Sequence, residues 1–248
     1  MANLYGPRIV TDGLVLHLDA ANRKSYPGSG STWYDLSGRN NHVSWQQSPT
    51  GGTNGNSTIS WSSSNNGKFQ FTTANNDQDY FFRADTTTGL PTGDPNYTID
   101  IVASMINGNA AWHLFAYGNQ TSQQSNGIYF NTGNALTKYF YSNDWNMINN
   151  FSTTVGYGNI FNYTETYDPS TNLLKGYLNG SLIVTHTVSV NPNITLYGNG
   201  RLAIGGGVIT ANRANWGGDM YSVKLYNTTL SANEVQQNYN ALKGRFGL

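Results

Sequence analysis

Apolar and polar residues alternate with a period of two along much of this chain, the pattern of strands that bury one face. In GLVLHLD, Leu14, Leu16 and Leu18 alternate with Val15 and His17. In YTIDIVA, Tyr97, Ile99 and Ile101 fall on one face and Thr98, Asp100 and Val102 on the other. AWHLFAY sets Trp112, Leu114 and Ala116 against His113, Phe115 and Tyr117, and MYSVKLY sets Tyr221, Val223 and Leu225 against Ser222 and Lys224. The clearest hairpin is LLKGYLNGSLIVTHTV, with arms over Leu173–Leu178 and Ser181–Val188. Its Asn179–Gly180 pair suits a two-residue type I′ turn, which needs positive φ at both positions.

One segment has helical period. Ser231 and Glu234 form a capping box, Val235, Tyr239 and Leu242 recur at helical spacing, and Gly244 follows Lys243 as a C-cap. This predicts a short helix over about 231–243, closing one edge of the fold. Turn strings (YPGSGS, PTGGTNGN, LPTGDPN, YDPSTN, NPN) punctuate the rest, with no fixed-period repeat and no Pro/Ser-rich linker. Residues 46–67 read as surface loops around a short strand. The expected architecture is all-β, a two-sheet antiparallel sandwich or jelly roll, with a short arm at residues 1–11 and a single domain over 12–248.

Composition narrows the function classes. Charged residues are 10% of the chain and balance to a formal net charge of zero. The densest basic string is Asn22–Lys24, so no stripe exists to displace phosphate counterions or to hold an anionic membrane, and neither nucleic acid nor membrane insertion is expected. Without cysteine there are no disulfides, zinc thiolates or thiol nucleophiles. The N-terminal string MANLYGPRIVTDG lacks a signal-peptide core, so synthesis in a cytoplasm is expected and the Asn-x-Ser/Thr sequons are read as unglycosylated.

Glycoside hydrolysis needs two carboxyls facing one bond. The chain has two glutamates, Glu165 and Glu234. Glu234 belongs to the capping box, and Glu165 and Asp168, three apart, point to opposite faces of a continuous strand. Asp77 and Asp79 share a face by spacing but lie in a turn-like string. No nucleophile elbow and no paired histidine motif is present, and no catalytic residue is assigned. GNGRLA (Gly198–Ala203) matches a relaxed dinucleotide fingerprint, but a further glycine run follows where a helix is required. Asp19 with Asn22, Asp35 and Asp219 are oxygen donors at turns; calcium is the one cofactor they could hold, against the simpler reading that they cap turns. No dense calcium loop is present, so no metal site is assigned. The best glycan-binding candidate is KYFYSNDWNMINN: Tyr139, Tyr141 and Trp145 offer aromatic platforms beside Asn143 and Asp144, against the alternative that these rings fill the core.

The string DGLVLHLDAANRKSYPGSGSTWYDLSGRNNH (Asp12–His42) resembles the opening of concanavalin A-like, laminin-G-like domains of tailed-bacteriophage virion structural proteins. FQFTTANNDQDYFF, TYDPSTNLLKGYLNGSLIVT and RLAIGGG resemble the family's successive strands, and WGGDMYSVKLYNTTLSANEVQQNYNALKGRFG its last strand and closing helix. The resemblance implies a concanavalin A-like jelly roll. It also implies a non-enzymatic structural or decorating protein on the exterior of a virion, oligomeric or particle-bound, with other virion proteins as partners and a secondary capacity for host cell-surface glycans. The alternative is a free-standing lectin or carbohydrate-binding module, and the remotest reading is a glucanase.

Overall fold

The computed structural model describes residues 7–47, 58–72, 80–106, 112–198, 201–207 and 216–248. In chain order the strands are β1 (Leu14–Asp19), β2 (Thr32–Trp33), β3 (Val43–Gln47), β4 (Thr58–Ser62), β5 (Lys68–Thr72), β6 (Tyr80–Ala84), β7 (Tyr97–Met105) and β8 (Trp112–Gly118). There follow β9 (Ser125–Phe130), β10 (Leu136–Tyr139), β11 (Asp144–Ile148), β12 (Ile160–Asp168), β13 (Leu173–Leu178), β14 (Ser181–Thr187), β15 (Leu202–Ile204) and β16 (Gly218–Tyr226). The helices are α1 (Phe151–Thr154) and α2 (Ala232–Phe246).

Two antiparallel sheets form a sandwich. Sheet A runs β14-β13-β12-β7-β16-β5-β4, with β1 alongside β16; sheet B runs β11-β10-β9-β8-β15-β6-β3-β2. Between them lies the main core, whose largest enclosed side chains include Trp33, Phe82, Tyr97, Phe115, Phe130, Tyr167 and Trp216. Edge-on ring contacts knit the two sheets, such as Phe69 of sheet A against Phe82 of sheet B and Tyr97 against Phe140.

A second apolar layer lies on the outer face of sheet A. There α2 buries Val235, Leu242 and Phe246 against Tyr226, Tyr177, Tyr221 and Val102. The helix therefore covers a sheet face instead of closing an edge. Its capping box is present, but it runs through Gly244 to end at Gly247, whose φ of 70° supplies the left-handed cap. Gly244 does not take the positive φ of a cap, and Phe246 adds one more anchor to the buried stripe. The described part of the N-terminal arm is fastened to this helix and to β16: Val10 N donates to Asn238 Oδ1 at 2.8 Å, and Tyr226 OH donates to Val10 O at 3.1 Å.

The hairpin at Asn179–Gly180 forms as expected, with φ of 49° and 77° at the two turn residues. Among the described residues, register shifts mark β-bulges in β1, β8, β11, β14 and β16, and a bulge reverses the faces beyond it; those in β1, β16 and β8 change which residues reach the core. A register shift between Leu14 and Leu16 turns Leu14 out to the helix layer while Leu16 and Leu18 stay in the core. One between Met220 and Ser222 sends Tyr221 outward, apart from Val223 and Leu225. One between His113 and Phe115 places Leu114 in the core with Phe115 and Tyr117, and Ala116 on the outer face of sheet B.

Candidate functional site

The outer face of sheet B carries an aromatic cluster built on small residues. In register across β15, β8, β9, β10 and β11 stand Ala203, Ala116, Gly127, Tyr139 and Asp144. Gly127 is required by close approach, since a Cβ there would run into the Tyr139 ring, which rests on the bare backbone. One row along, His113 pairs with Tyr129, and their rings stack at 5.6 Å. Tyr129 and Tyr139 meet edge to face at 5.5 Å, and Tyr129 OH donates to Asp144 Oδ2 at 3.1 Å. Tyr141 packs against the same cluster.

Tyr141 reaches this position through the β10–β11 turn, where Tyr141 and Ser142 both take positive φ and Phe140 N donates to Asn143 O. Tyr139 is 8% exposed, Tyr129, Tyr141 and Asn143 are half-buried and Asp144 is exposed. Thus Tyr139, Tyr141 and Asp144 are brought together, with Asn143 in the adjoining turn. Trp145 is not part of the group: its strand neighbours alternate, and its ring packs inward on Phe140 at 5.8 Å. Sequence reading missed His113, Tyr129 and Gly127. They come from strands β8 and β9, and only pairing with β10 places them beside Tyr139.

The remaining candidates are occupied otherwise. Glu165 points into the core, fully buried, 3.0 Å from Lys138 Nζ, while Asp168 lies half-buried at the strand end and accepts from Ser170 N and Oγ. Glu234 accepts from Ser231 N in the cap. Asp19 Oδ1 accepts from Ala21 N and its Oδ2 pairs with Arg245 at 2.7 Å. Asn22 accepts from Lys24 N, Asp35 from the N–H groups of His17, Ser37 and Asn41, and Asp219 pairs with Lys68 at 2.8 Å. Among the described residues no three His, Cys, Asp or Glu side chains converge as a metal site. Asp77 and Asp79 lie outside the described residues.

No protein-family model and no curated protein sequence matches the chain. Solved structures do. Domain 4 of AbnA, a GH43 extracellular arabinanase from Geobacillus stearothermophilus, in complex with arabinotriose, aligns with TM-score 0.62 at 14% identity over 91% of this chain and 98% of its own. A structure of botulinum neurotoxin type C, whose cell entry depends on interaction with two ganglioside molecules, aligns with TM-score 0.66 at 15% identity. The binding domain of Paraclostridial Mosquitocidal Protein 1 aligns with TM-score 0.62 at 15% identity. This chain covers 52% of each toxin chain, about half its length. At such identities the likeness shows the fold, a jelly-roll sandwich shared with domains that bind carbohydrate.

Proposed function

We propose that the chain is a non-catalytic carbohydrate-binding sandwich domain, with its glycan on the outer face of sheet B. The observation that carries this reading is the Tyr129–Tyr139–Tyr141 cluster beside Asp144. Aromatic faces accept the C–H surface of a sugar ring, and a carboxylate accepts its hydroxyls. Tyr129 is already oriented by its bond to Asp144, so little side-chain freedom is lost on binding. Support also comes from the arabinotriose complex and the ganglioside dependence of two structural neighbours. Glu165 is enclosed and Glu234 is tied into a cap, which supports binding without hydrolysis.

The test is titration with arabinotriose and with a ganglioside headgroup oligosaccharide, followed by nuclear magnetic resonance. Tyr141→Ala and Asp144→Asn are expected to weaken binding about tenfold each with the fold unchanged, as loss of one stacking or hydrogen-bonding contact does. Binding left intact by both variants would move the site elsewhere. The terminal strings favour a second placing of the same module, on the exterior of a phage virion as a structural or decorating protein.

A further inference from the structure

Glycan binding does not use the polar group enclosed in the middle of the sandwich. Lys138 on β10 and Asn126 on β9 lie on paired strands of sheet B, and Glu165 on β12 faces them from sheet A. All three are completely buried. Lys138 Nζ donates to Asn126 Oδ1 and stands 3.0 Å from Glu165 Oε1. Asn126 Nδ2 donates to Tyr117 OH at 3.1 Å. The Glu165 carboxylate accepts from Tyr97 OH at 3.1 Å and from Tyr163 OH at 3.0 Å. The Phe140 and Tyr97 rings lie 4.4 and 4.9 Å from the ammonium and shut out water.

We propose that Lys138 and Asn126 join through an intramolecular isopeptide bond, with Glu165 as the catalytic proton carrier. An enclosed ion pair between apolar rings is costly, and converting it to neutral groups relieves that cost. Burial lowers the Lys138 ammonium to about 8, partly offset by Glu165, so its proton is easily given up. In the reaction Nζ passes a proton to Glu165 Oε1, and the freed amine attacks Cγ of Asn126. The Nζ–Cγ bond forms as the carbonyl electron pair moves onto Oδ1. Glu165 hands its proton to Nδ2 and takes the second from Nζ. The carbonyl reforms, the Cγ–Nδ2 bond breaks and ammonia leaves, while Glu165 keeps the second proton and ends neutral. An amine and a carboxamide become a secondary amide and ammonia, with no oxidant or co-reactant. Tyr117 OH, which accepts from the departing nitrogen, orients the carboxamide.

The molecule contains its own control. Lys224, Asp100 and Asn162 are the same kind of trio, also buried, on the outer face of sheet A. There Asp100 lies on β7 between the other two strands. Lys224 Nζ lies 3.3 Å from Asp100 Oδ1, and Asn162 Nδ2 donates to that same oxygen. The carboxylate separates amine from carboxamide, so no reaction is expected.

Intact-mass spectrometry of the purified chain is expected to show a mass lower than that of the sequence by one ammonia, about 17 Da. Asn126 precedes Gly127, and cyclisation onto the backbone would lose the same mass. Chymotryptic cleavage at Tyr129 and Phe130 separates the two cases. The proposal expects the Asn126 and Lys138 peptides to remain joined and trypsin to fail after Lys138. A full-mass parent protein, or a loss confined to the Asn126 peptide, overturns it. Glu165→Gln is expected to retain the full mass. Asn126→Asp, which keeps the core polar, is expected to react with loss of one water. If both variants fail to fold, the parent digest decides alone.

Discussion

At the residue scale, His17 combines burial with a cation on its doorstep. It pairs in register with Lys224, and burial first, then the Lys224 charge, lower its pKa to about 4 against the opposing pull of Asp19, Asp100 and Asp35. The folded value lies below the unfolded one. Between about pH 4 and 6.5 the unfolded chain therefore binds more protons, and stability is full above that window and falls as pH drops through it. The loss attributable to His17 across the whole window is on the order of 3 kcal/mol. Denaturant melts at pH 7.5 and 4.5 should show a smaller drop for His17→Asn than for the parent; equal drops would assign the acid sensitivity to other groups. Gly127 makes a second residue-scale case. A methyl there meets the far end of the Tyr139 side chain, which can swing aside. Gly127→Ala should cost about 1–3 kcal/mol by overpacking and dismantle the tyrosine cluster. Calorimetry together with glycan titration checks both; unaltered binding would remove Tyr139 from the site.

At the scale of elements, the β13–β14 hairpin meets two demands at one residue. Gly180 has φ of 77°, and a Cβ would lie 2.8 Å from the Tyr239 ring on α2. Gly180→Val should destabilise by at least about 2–3 kcal/mol, combining backbone strain with a steric clash that weakens helix docking. A parent-like melting curve would contradict both. Ser231→Ala should cost about 1 kcal/mol through the lost cap, read from the same melts. Both predictions rest on features legible in the sequence, because Asn-Gly turns and capping boxes are local chemistry. The alternation that marked β7 held for the same reason. The bulges in β1, β8 and β16 were not legible, since one extra residue leaves alternation intact on either side and shows only when strands pair. The site divides likewise. The grouping of Tyr139, Tyr141 and Asp144 is legible because they sit within one short string. His113 and Tyr129 escaped because pairing, not spacing, brings them there, and Trp145 was misplaced because the β10–β11 turn sends its ring into the core.

At the scale of the whole molecule, the free module and the virion component share one surface and differ in what else must bind. With charged residues only 10% of the chain and a formal net charge of zero, there is little electrostatic steering, so attachment to a particle would rest on shape and apolar contact. If the chain is a decorating protein, it should sediment with gradient-purified particles in a fixed ratio that survives high salt. Its absence from them would leave the free lectin as the better account. The arm invites a truncation test, but Val10 and Arg8 already hold α2 through Asn238 and Gln237, and Val10 holds β16 through Tyr226. Removing residues 1–11 should therefore lower the melting temperature of the isolated protein, whatever the arm does in a particle. Loss of incorporation is informative only when scored against a variant of equal stability that keeps the arm, for which Ser231→Ala serves if the melts match. Reduced incorporation of the truncated form alone would make the arm a docking element. Equal incorporation of the two would confine it to fastening the helix.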